Sequence, residues 1–594
     1  MASGKKGNKD CKPPDFDPLG NDDLAPSGLV ACSCLDCRKQ AGSARACAGT
    51  AHAKEEHVKV DTRRSEEAAA MRRAEEAVQA KKRCLIIGAG SSGVAAIQQA
   101  LAAGLEPVAY EARAGIGGAW RFDADPGSCE VEFDEQGWAR LSSPSERNHQ
   151  GVPPPSPMYS SLRTNVPTGL FCSHSDVQSY LESFSAPLLP HIRFNSRVTR
   201  LRHSLPSDEG GQQRRWYAEI ASKGKVEKEQ FDCVMISNGH YSVPYVPWVE
   251  GLSSWKGELS HARWYRDAKA FENKVRRRFT SSFVPFPVCP LTFGVLQTVL
   301  VIGNSASGYD VTRELAMSIH SRRESGTDPT ALPKIYQSAR SPPVLGIPFD
   351  AADAPEWAKE IAVFPPVRKV EGKVIEFEDS RTLEDVDTII YCTGYYYSFP
   401  FCYPTDAPFS EHPLTRPPPT PSNLTNTKLP PAPVRGGLRV HNLDDRFLFY
   451  LPDPSLAFLC LPYLVIPFPL AQLQARLAAL HFASSPRLPR PLTFTRGTPE
   501  DEPESRAPVV LGHPKQYDLH DRMLRECGDI PEHEEEGERE GERAAVTNGA
   551  EEAPEEENAT DAFGGERTVY GETSQAERDL RLGAKALRRA VLGY

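Results

Sequence analysis

The sequence lacks a long apolar run that is free of helix-breaking residues. Its most apolar stretch, 447–470, contains five prolines and an aspartate, whereas a membrane-spanning helix needs about 20 consecutive apolar residues. Because proline removes a backbone donor and breaks helices, we expect this stretch to be a buried irregular segment. The opening residues 1–10 also lack the apolar core of a secretory signal peptide. We therefore expect a cytoplasmic protein without a transmembrane segment.

A strong charge of one sign is missing from most of the chain. The 594 residues carry 69 Lys and Arg against 79 Asp and Glu, a formal net charge of −10. The segment 531–566 alone contributes −12, from 14 acidic residues and 2 arginines, which leaves +2 for the remainder. A general nucleic-acid binder needs a net basic face, so we do not expect nucleic acid as a partner.

The cysteines are too scattered for a disulfide framework. The chain has 14 Cys in 594 residues, whereas small disulfide-rich domains place theirs at high density. A Cys-x-Cys-x-x-Cys cluster starts at Cys32 in an arm rich in Gly, Ser and Pro. A structural zinc site requires four ligands and some surrounding core, so we predict free thiols and no metal site.

Composition divides the chain into a compact part and flanking segments. Residues 1–80 have few aromatic side chains and many charges, which predicts a disordered arm followed by a helical linker. The compact part is expected to end near 530. Beyond it we predict an acidic disordered linker over 531–575 and a basic amphipathic helix over 576–594.

A nucleotide-binding pattern opens the compact part. Gly88, Gly90 and Gly93 form G-x-G-x-x-G directly after the apolar run 84–87 and before an Ala-rich helical stretch. In this pattern the glycines permit a tight turn, a close approach of the backbone to a pyrophosphate, and close packing of helix on strand. Glu111 ends the next predicted strand, 23 residues after Gly88, where an acidic side chain accepts ribose hydroxyls. The pattern predicts a dinucleotide site.

A second, weaker pattern follows another apolar run. Gly303, Ser305 and Gly308 repeat the spacing, with serine at the middle glycine position. The next predicted strand ends at Ser338 near Arg340 and not in an acid. Arginine suits a 2′-phosphate, which favours NADPH over NADH, although a surface arginine without this role is the alternative. Two dinucleotide folds in one chain predict an α/β flavoprotein with a nicotinamide reductant.

Five further segments are spread in sequence over most of 81–530. They are Arg113–Trp120, Tyr159–Pro167, Trp255–Tyr265, Asp387–Tyr395 and Phe399–Phe401. In this order they resemble motifs of the flavin-containing monooxygenases, a class B flavoprotein monooxygenase family, and especially of its fungal members. The motifs are the second FAD signature, Y-x-x-L-x-T-N-x-P, the fingerprint F-x-G-x-x-x-H-x-x-x-[YF], D-x-x-I-x-A-T-G-Y and Phe-Pro-Phe. Trp255 stands where the fingerprint usually has Phe.

The resemblance implies two Rossmann-like domains. An FAD domain would use 81–245 and 385–530, interrupted by a smaller NADPH domain over 246–384. The implied cofactors are FAD and NADPH. The implied reaction is the transfer of one oxygen from a C4a-hydroperoxyflavin, formed with O2, to a nucleophilic nitrogen or sulfur of a small molecule, as in N,N-dimethylaniline-type monooxygenases. The cofactor carries the oxygen chemistry, so no general base acting on the substrate is required.

The resemblance also implies site residues. Asn165 matches the family's active-site asparagine near the flavin ring and is predicted to be catalytic through its side-chain amide. A loop-capping role beside Pro167 is the alternative. His261 is expected to brace the link between the domains. The predicted cofactor-binding residues are Gly88, Gly90, Gly93, Glu111, Gly117, Gly118, Trp120, Thr164, Gly303, Ser305, Gly308, Ser338, Arg340, Thr393 and Gly394.

One segment interrupts the family's pattern. Residues 275–297 separate the fingerprint from the second apolar strand; this segment starts Val-Arg-Arg-Arg and contains three prolines. Without it, Lys274 would join Thr298 directly, a normal strand entry. We predict either a loop insertion or a retained intron of 69 nucleotides, and a spliced transcript that encodes all 23 residues would rule out the intron.

Two other functions stay open on the sequence. Baeyer–Villiger oxygenation of ketones uses the same two cofactors, but such enzymes usually end the fingerprint in Trp followed by Pro or Asp, where this chain has Tyr265. A flavin-binding protein without oxygenase activity is the second alternative. Flavin disulfide reductases are disfavoured because neither Cys84 nor Cys129 has a redox partner at the required spacing. Oligomeric state carries no readable signal.

Overall fold

A computed structural model describes the compact part of the chain and a short C-terminal segment. The predicted N-terminal arm and linker, the 275–297 insertion, the motif around Asn165 and most of the acidic linker lie outside the described residues. The described residues are 81–127, 129–135, 137–141, 173–206, 208, 215–272, 298–329, 332–343, 346–418, 436–531, 573–583 and 586.

Short strands make up most of the regular structure, and many coincide with the Val- and Ile-rich runs that favour pleated, half-buried surfaces. The strands are β1 Arg83–Ile87, β2 Glu106–Tyr110, β3 Val131–Phe133, β4 Ala139–Leu141, β5 Ile192–Arg193, β6 Ser196–His203, β7 Trp216–Ser222, β8 Lys225–Phe231, β9 Cys233–Ile236, β10 Val243–Pro244, β11 Glu258–His261, β12 Val299–Ile302, β13 Ile335–Ser338, β14 Ile361–Phe364, β15 Val367–Glu371, β16 Val374–Phe377, β17 Thr382–Leu383, β18 Thr388–Tyr391, β19 Tyr395–Tyr396 and β20 Leu456–Phe458.

Helices cover the sheets and close the C-terminal part. The α-helices are α1 Ser91–Ala102, α2 His174–Ser185, α3 Lys269–Glu272, α4 Ala306–Glu324, α5 Pro467–Phe482, α6 Lys515–Glu526 and α7 Gln575–Leu582, and short 3₁₀ turns lie at Gly118–Trp120, Ala186–His191, Leu252–Ser254, Glu356–Glu360 and Ala507–Val509.

The first large sheet is parallel and has the strand order β20-β9-β1-β2-β5. Strand β1 is central, and its side chains alternate between two apolar layers. Cys84 and Ile86 pack into the layer formed with α1 and α5, whereas Leu85 and Ile87 pack into the layer formed with β7 and β20. Because both faces are covered, β1 is apolar at successive positions.

The second large sheet is also parallel, in the order β11-β18-β12-β13-β14. Helix α4 follows β12 and packs on β12 and β13. The predicted domain boundary at 385 differs from this arrangement, because β18 pairs with β11 and β12 and so belongs to the second sheet. Pairing decides the location of β18, and pairing cannot be read from its apolar composition.

Two segments connect the large sheets, and they pair with each other. The outgoing connection runs from β9 to β11 and the return connection follows β18. Strands β10 and β19, one from each connection, form a two-stranded antiparallel ribbon. We call the paired segments 243–245 and 393–396 the crossover. The carboxyl ends of β9 and β18 lead directly into it, which places it at the ligand-binding edge of both sheets.

The apolar stretch 447–470 is largely irregular and contains β20 and the start of α5. Leu448, Phe449 and Tyr450 are fully buried. Among the described residues, no helix is long and apolar enough to cross a membrane.

Helix α7 packs on α6 through charged side chains. A capping box between Ser574 and Glu577 starts the helix. Arg578 pairs with Asp518 and with the nearly buried Asp521. Thr573 donates to the same Asp521 carboxylate from its backbone N–H at 2.9 Å and its hydroxyl at 2.7 Å. These contacts fix the docked position of α7, since its two leucines are exposed.

We predict that Arg578→Ala releases α7 from α6. Loss of a half-buried, charge-assisted pair should cost about 1–2 kcal/mol, so amide exchange across 575–582 should rise by roughly tenfold. Gln575→Ala is the control, because its amide contacts only Asp579 of its own helix among the contacts described. Equal exchange in both variants would contradict the docking role of Arg578.

Candidate functional site at the ends of the parallel strands

The first glycine loop has no room for a side chain at two of its three glycines. Gly88 has a φ of +101°, and an added Cβ there would lie 2.7 Å from the Ser237 carbonyl oxygen. A Cβ on Gly93 would lie 2.0 Å from the Gly88 carbonyl oxygen. Gly90 is the N-cap of α1, and a Cβ added there would meet only Gly118, whose Cα would lie 3.5 Å away. The loop therefore exposes backbone N–H groups at a helix N-terminus, as pyrophosphate binding requires.

The predicted second FAD signature packs directly against this loop. Gly117 has a φ of +113° and donates its N–H to the Ala89 carbonyl at 3.1 Å. A Cβ on Gly118 would lie 3.0 Å from the Cα of Gly90. Trp120 follows in a 3₁₀ turn, and its ring meets Phe468 of α5 edge-on at 6.0 Å. We call these two segments together, Gly88–Gly93 and Gly117–Gly118, the first glycine cradle.

Glu111 supports the first loop from the end of β2. Its carboxylate accepts the Ala89 N–H and the Arg113 N–H, both at 2.8 Å, and the residue is buried. The carboxylate retains further acceptor capacity. This position, at the tip of the neighbouring parallel strand, is the one predicted for a ribose contact.

The second loop repeats this geometry at the end of β12. Gly303 has a φ of +102°, and a Cβ there would lie 2.7 Å from the Cys392 carbonyl oxygen. A Cβ on Gly308 would lie 2.0 Å from the Gly303 carbonyl oxygen. Ser305 caps α4 with a φ of −77°, a conformation any residue adopts. Serine therefore adds no backbone strain at this position. We call the loop Gly303–Gly308 the second glycine cradle.

The two residues predicted at the end of β13, Ser338 and Arg340, differ in their exposure to solvent. Ser338 is buried, and its hydroxyl donates to the Pro365 carbonyl at 2.8 Å, so its side chain stabilises the sheet edge. Arg340 is exposed. Burial raises the pKa of Tyr245, and the charges of Arg506 and Arg340 oppose that rise. Arg340 thus lies near the crossover, at the open end of the second loop.

Thr393 and Gly394 lie in the crossover itself. The Thr393 hydroxyl donates to the Tyr245 carbonyl. The Gly394 carbonyl accepts the Tyr245 N–H at 2.9 Å and faces His261 Nε2 at 3.0 Å. His261 Nδ1 in turn accepts the Arg263 N–H at 3.1 Å. The histidine therefore braces the return connection with both ring nitrogens engaged.

The family model described as "FMO-like: Flavin-binding monooxygenase-like" matches residues 81–277 of this chain. A thiol-specific monooxygenase of Saccharomyces cerevisiae is 28% identical over 430 residues, covering 70% of this chain and 80% of its own length. The flavin-containing monooxygenase ustF2 of Aspergillus flavus is 26% identical over 473 residues, covering 68% of this chain and 83% of its own length. These matches confirm the resemblance to the flavin-containing monooxygenases over most of the chain.

The fold agrees with that resemblance. The solved S-allyl-L-cysteine S-oxygenase of Allium sativum is 22% identical and superimposes with a TM-score of 0.51, covering 76% of this chain and 89% of its own. The resemblance inferred from the motifs, the α/β class with two Rossmann-like sheets, and the assignment as an FAD-dependent flavoprotein monooxygenase are confirmed. The family's cofactors are FAD and NADPH, and the two glycine cradles fit two dinucleotides.

Asn165 and Thr164 lie outside the described residues. The described part of the chain brings the other predicted residues to two neighbouring edges, with the exception of the Ser338 hydroxyl. The roles of the individual residues stay predictions.

Two further residues at this edge, His240 and Arg506, were not predicted from the sequence. His240 follows β9 and contacts the rings of Tyr241, Tyr397 and Tyr463 at 4.3–4.9 Å. Arg506 reaches the crossover from a segment more than 100 residues away along the chain. A run of single aromatic residues in separate loops carries no periodic signal, so only the fold brings these side chains together.

Both histidines at this edge are neutral. Burial and the Arg506 charge lower the pKa of His240 to about 3. Burial, opposed by the Gly394 carbonyl, lowers the pKa of His261 to about 3. Neither imidazole is charged at neutral pH, so neither acts there as a general acid.

A buried carboxyl beside the fingerprint gives the protein a pH-dependent stability. Burial raises the pKa of Glu314 in α4 to about 7, although the Tyr265 hydroxyl and the Ala268 N–H lower it in part. The folded state therefore binds a proton that the unfolded state releases near its ordinary value of about 4.3. The stabilisation that the Glu314 carboxyl contributes is complete below a pH of about 4.3, and it is lost as the pH rises through about 7.

We predict that Glu314→Gln removes this loss. Between pH 5 and pH 7.5 the thermal midpoint of the parent should fall relative to the variant by roughly 2–4 °C. Differential scanning calorimetry at both pH values measures it. Glu324→Gln, at the exposed end of the same helix, should follow the parent. Parallel behaviour of all three proteins would show that the Glu314 carboxyl is not perturbed.

Proposed function

We propose that this protein is an NADPH- and O2-dependent monooxygenase that oxygenates a nucleophilic sulfur or nitrogen of a small molecule. The observation that carries the proposal is the pair of glycine cradles on one chain, joined by the crossover. Such an arrangement serves a flavin and a nicotinamide that must exchange a hydride. When bound, reduced FAD supplies the activation of O2 and the transfer of one oxygen atom.

The chain's own residues bind and orient in this proposal. The loop Gly88–Gly93 and the N-terminus of α1 would hold the FAD pyrophosphate, with Glu111 on the ribose. The loop Gly303–Gly308 would hold NADPH, with Arg340 on the 2′-phosphate. Asn165 would donate its side-chain amide beside the flavin ring, an assignment that rests on its motif.

The titration state of the site supports a substrate that needs no deprotonation. His240 and His261 are neutral and enclosed at neutral pH, and burial raises the pKa of Tyr241 and of Tyr395. A soft nucleophile such as a thioether or a tertiary amine attacks without a general base. The names of two relatives, a thiol-specific monooxygenase and an S-oxygenase, favour sulfur.

We expect sulfur or nitrogen nucleophiles, and not ketones, to be consumed. Methyl phenyl sulfide or N,N-dimethylaniline should stimulate NADPH oxidation and yield one oxide per NADPH, whereas cyclohexanone should leave the basal rate unchanged. Product formation is measured by chromatography alongside NADPH absorbance. Lactone formation from cyclohexanone would favour the Baeyer–Villiger alternative. A yellow protein whose flavin NADPH never reduces would favour a flavin-binding protein without oxygenase activity.

Matched alanine substitutions separate the two cradles. Gly93→Ala and Gly308→Ala each place a Cβ 2.0 Å from a carbonyl oxygen of their own loop, an overpacking that costs about 1–3 kcal/mol, or ten- to a hundredfold in affinity. We predict that Gly93→Ala loses bound FAD, whereas Gly308→Ala keeps FAD and raises the NADPH concentration for half-maximal reduction. Flavin absorbance and anaerobic reduction measure these outcomes, and the reverse pattern would exchange the assignment of the loops.

A further inference from the structure

Arg506 contacts the crossover from a third segment of the chain. Its Nη1 donates to the Thr393 carbonyl at 2.7 Å and its Nη2 donates to the Tyr395 carbonyl at 2.8 Å. The Tyr463 hydroxyl also reaches the Tyr395 carbonyl, at 3.5 Å. The guanidinium group therefore spans the turn at Gly394 and holds the carbonyls on both sides of it.

Three consecutive carbonyls of the return connection are thus held by residues from other parts of the chain. Arg506 holds those of Thr393 and Tyr395. The carbonyl between them, that of Gly394, accepts the Tyr245 N–H of the outgoing connection and faces His261 at the end of β11. The turn needs glycine, because its φ is +82° and a Cβ would lie 3.2 Å from Arg506 Nη1. The guanidinium fills the space that this glycine leaves.

The backbone of Arg506 is anchored to the first sheet. Its carbonyl accepts the Val509 N–H at 3.1 Å, and the Val509 carbonyl accepts the Tyr463 N–H at 2.8 Å. Val509 is buried in the same apolar layer as Leu85 and Ile87 of β1. The arginine thus links the core behind the first glycine loop to the turn that directly follows β18 of the second sheet.

The shape of the guanidinium matters as much as its charge. Its Cζ atom lies over the Tyr245 ring, 4.7 Å from the ring centroid, and over the Tyr463 ring at 6.0 Å. A planar fork can donate to two carbonyls and stack on an aromatic face at the same time. A lysine ammonium keeps the charge but cannot span both carbonyls in one geometry.

We propose that Arg506 is a positioning residue that fixes the crossover, and with it the relative placement of the two glycine loops. The proposal rests on the proposed function, since the placement serves hydride transfer from NADPH to FAD. Hydride transfer requires the reacting atoms to lie about 3–3.5 Å apart, and a misplacement of about 1 Å can cost a hundredfold in rate. Arg506 would act through the crossover, and its described contacts include neither of the glycine loops 88–93 and 303–308.

Arg506→Lys tests the proposal with two independent readouts on the FAD-loaded protein. Anaerobic stopped-flow should give a limiting rate of flavin reduction by NADPH about ten- to a hundredfold below the parent, with flavin content unchanged. Hydrogen exchange without NADPH should rise about tenfold at the Tyr245 amide, which donates to Gly394, and stay unchanged at β1. Arg506→Gln, which loses the charge and the fork, should show both effects at least as strongly.

Arg496→Lys is the matched control. Arg496 lies in the same C-terminal segment, but it contacts Asn442 and Glu500 and not the crossover. We expect both readouts to stay within about twofold of the parent.

The remaining outcomes would each overturn the proposal. Unchanged exchange at the Tyr245 amide would mean that Arg506 does not hold the crossover, whatever the reduction rate. Faster exchange with an unchanged reduction rate would mean that the crossover does not position the loops for hydride transfer. Loss of FAD or of folding in both Arg506 variants would assign the arginine to general stability. If NADPH does not reduce the parent, the proposed function fails, while exchange still tests the contact.

Discussion

The hydrogen bond from the Tyr245 N–H to the Gly394 carbonyl joins the two segments that pass between the parallel sheets. Each sheet presents a glycine cradle at its carboxyl edge, as open α/β sheets do. The cradles can serve one reaction only if the sheets keep a fixed relation. Because β10 and β19 are only two residues long each, their pairing needs the side chains of His261 and Arg506 to hold it. The crossover is therefore the constraint on which both sites depend.

The chemistry of the site follows from enclosure. Burial keeps His240 and His261 neutral and holds the phenols of the surrounding tyrosines protonated. A protein edge with neutral rings and backbone carbonyls can exclude water and position cofactors, but it offers little acid–base catalysis. That division of labour suits a flavoenzyme, in which the cofactor carries the oxygen chemistry.

The sequence predicted the parts of the site that depend on local geometry. The glycines at 88, 93, 303 and 308 occupy positions where a Cβ would clash with a backbone carbonyl oxygen. A short sequence motif is enough to indicate that steric requirement. Glu111 was predictable because it ends the next parallel strand. The location of β18 and the reach of Arg506 were not, since both depend on pairing between segments far apart in the chain. Ser338 was placed on the correct strand, but its inward-facing hydroxyl depends on the register with β14.

Single-turnover reduction of the bound flavin tests the central claim that the two cradles hold FAD and NADPH in a productive relation. The purified protein, containing one FAD per chain, is mixed with one equivalent of NADPH without oxygen, and flavin absorbance is followed. We expect complete bleaching by NADPH, and much slower bleaching by an equal concentration of NADH. A flavin that stays oxidised with NADPH, while dithionite still reduces it, would contradict a productive relation between the two sites.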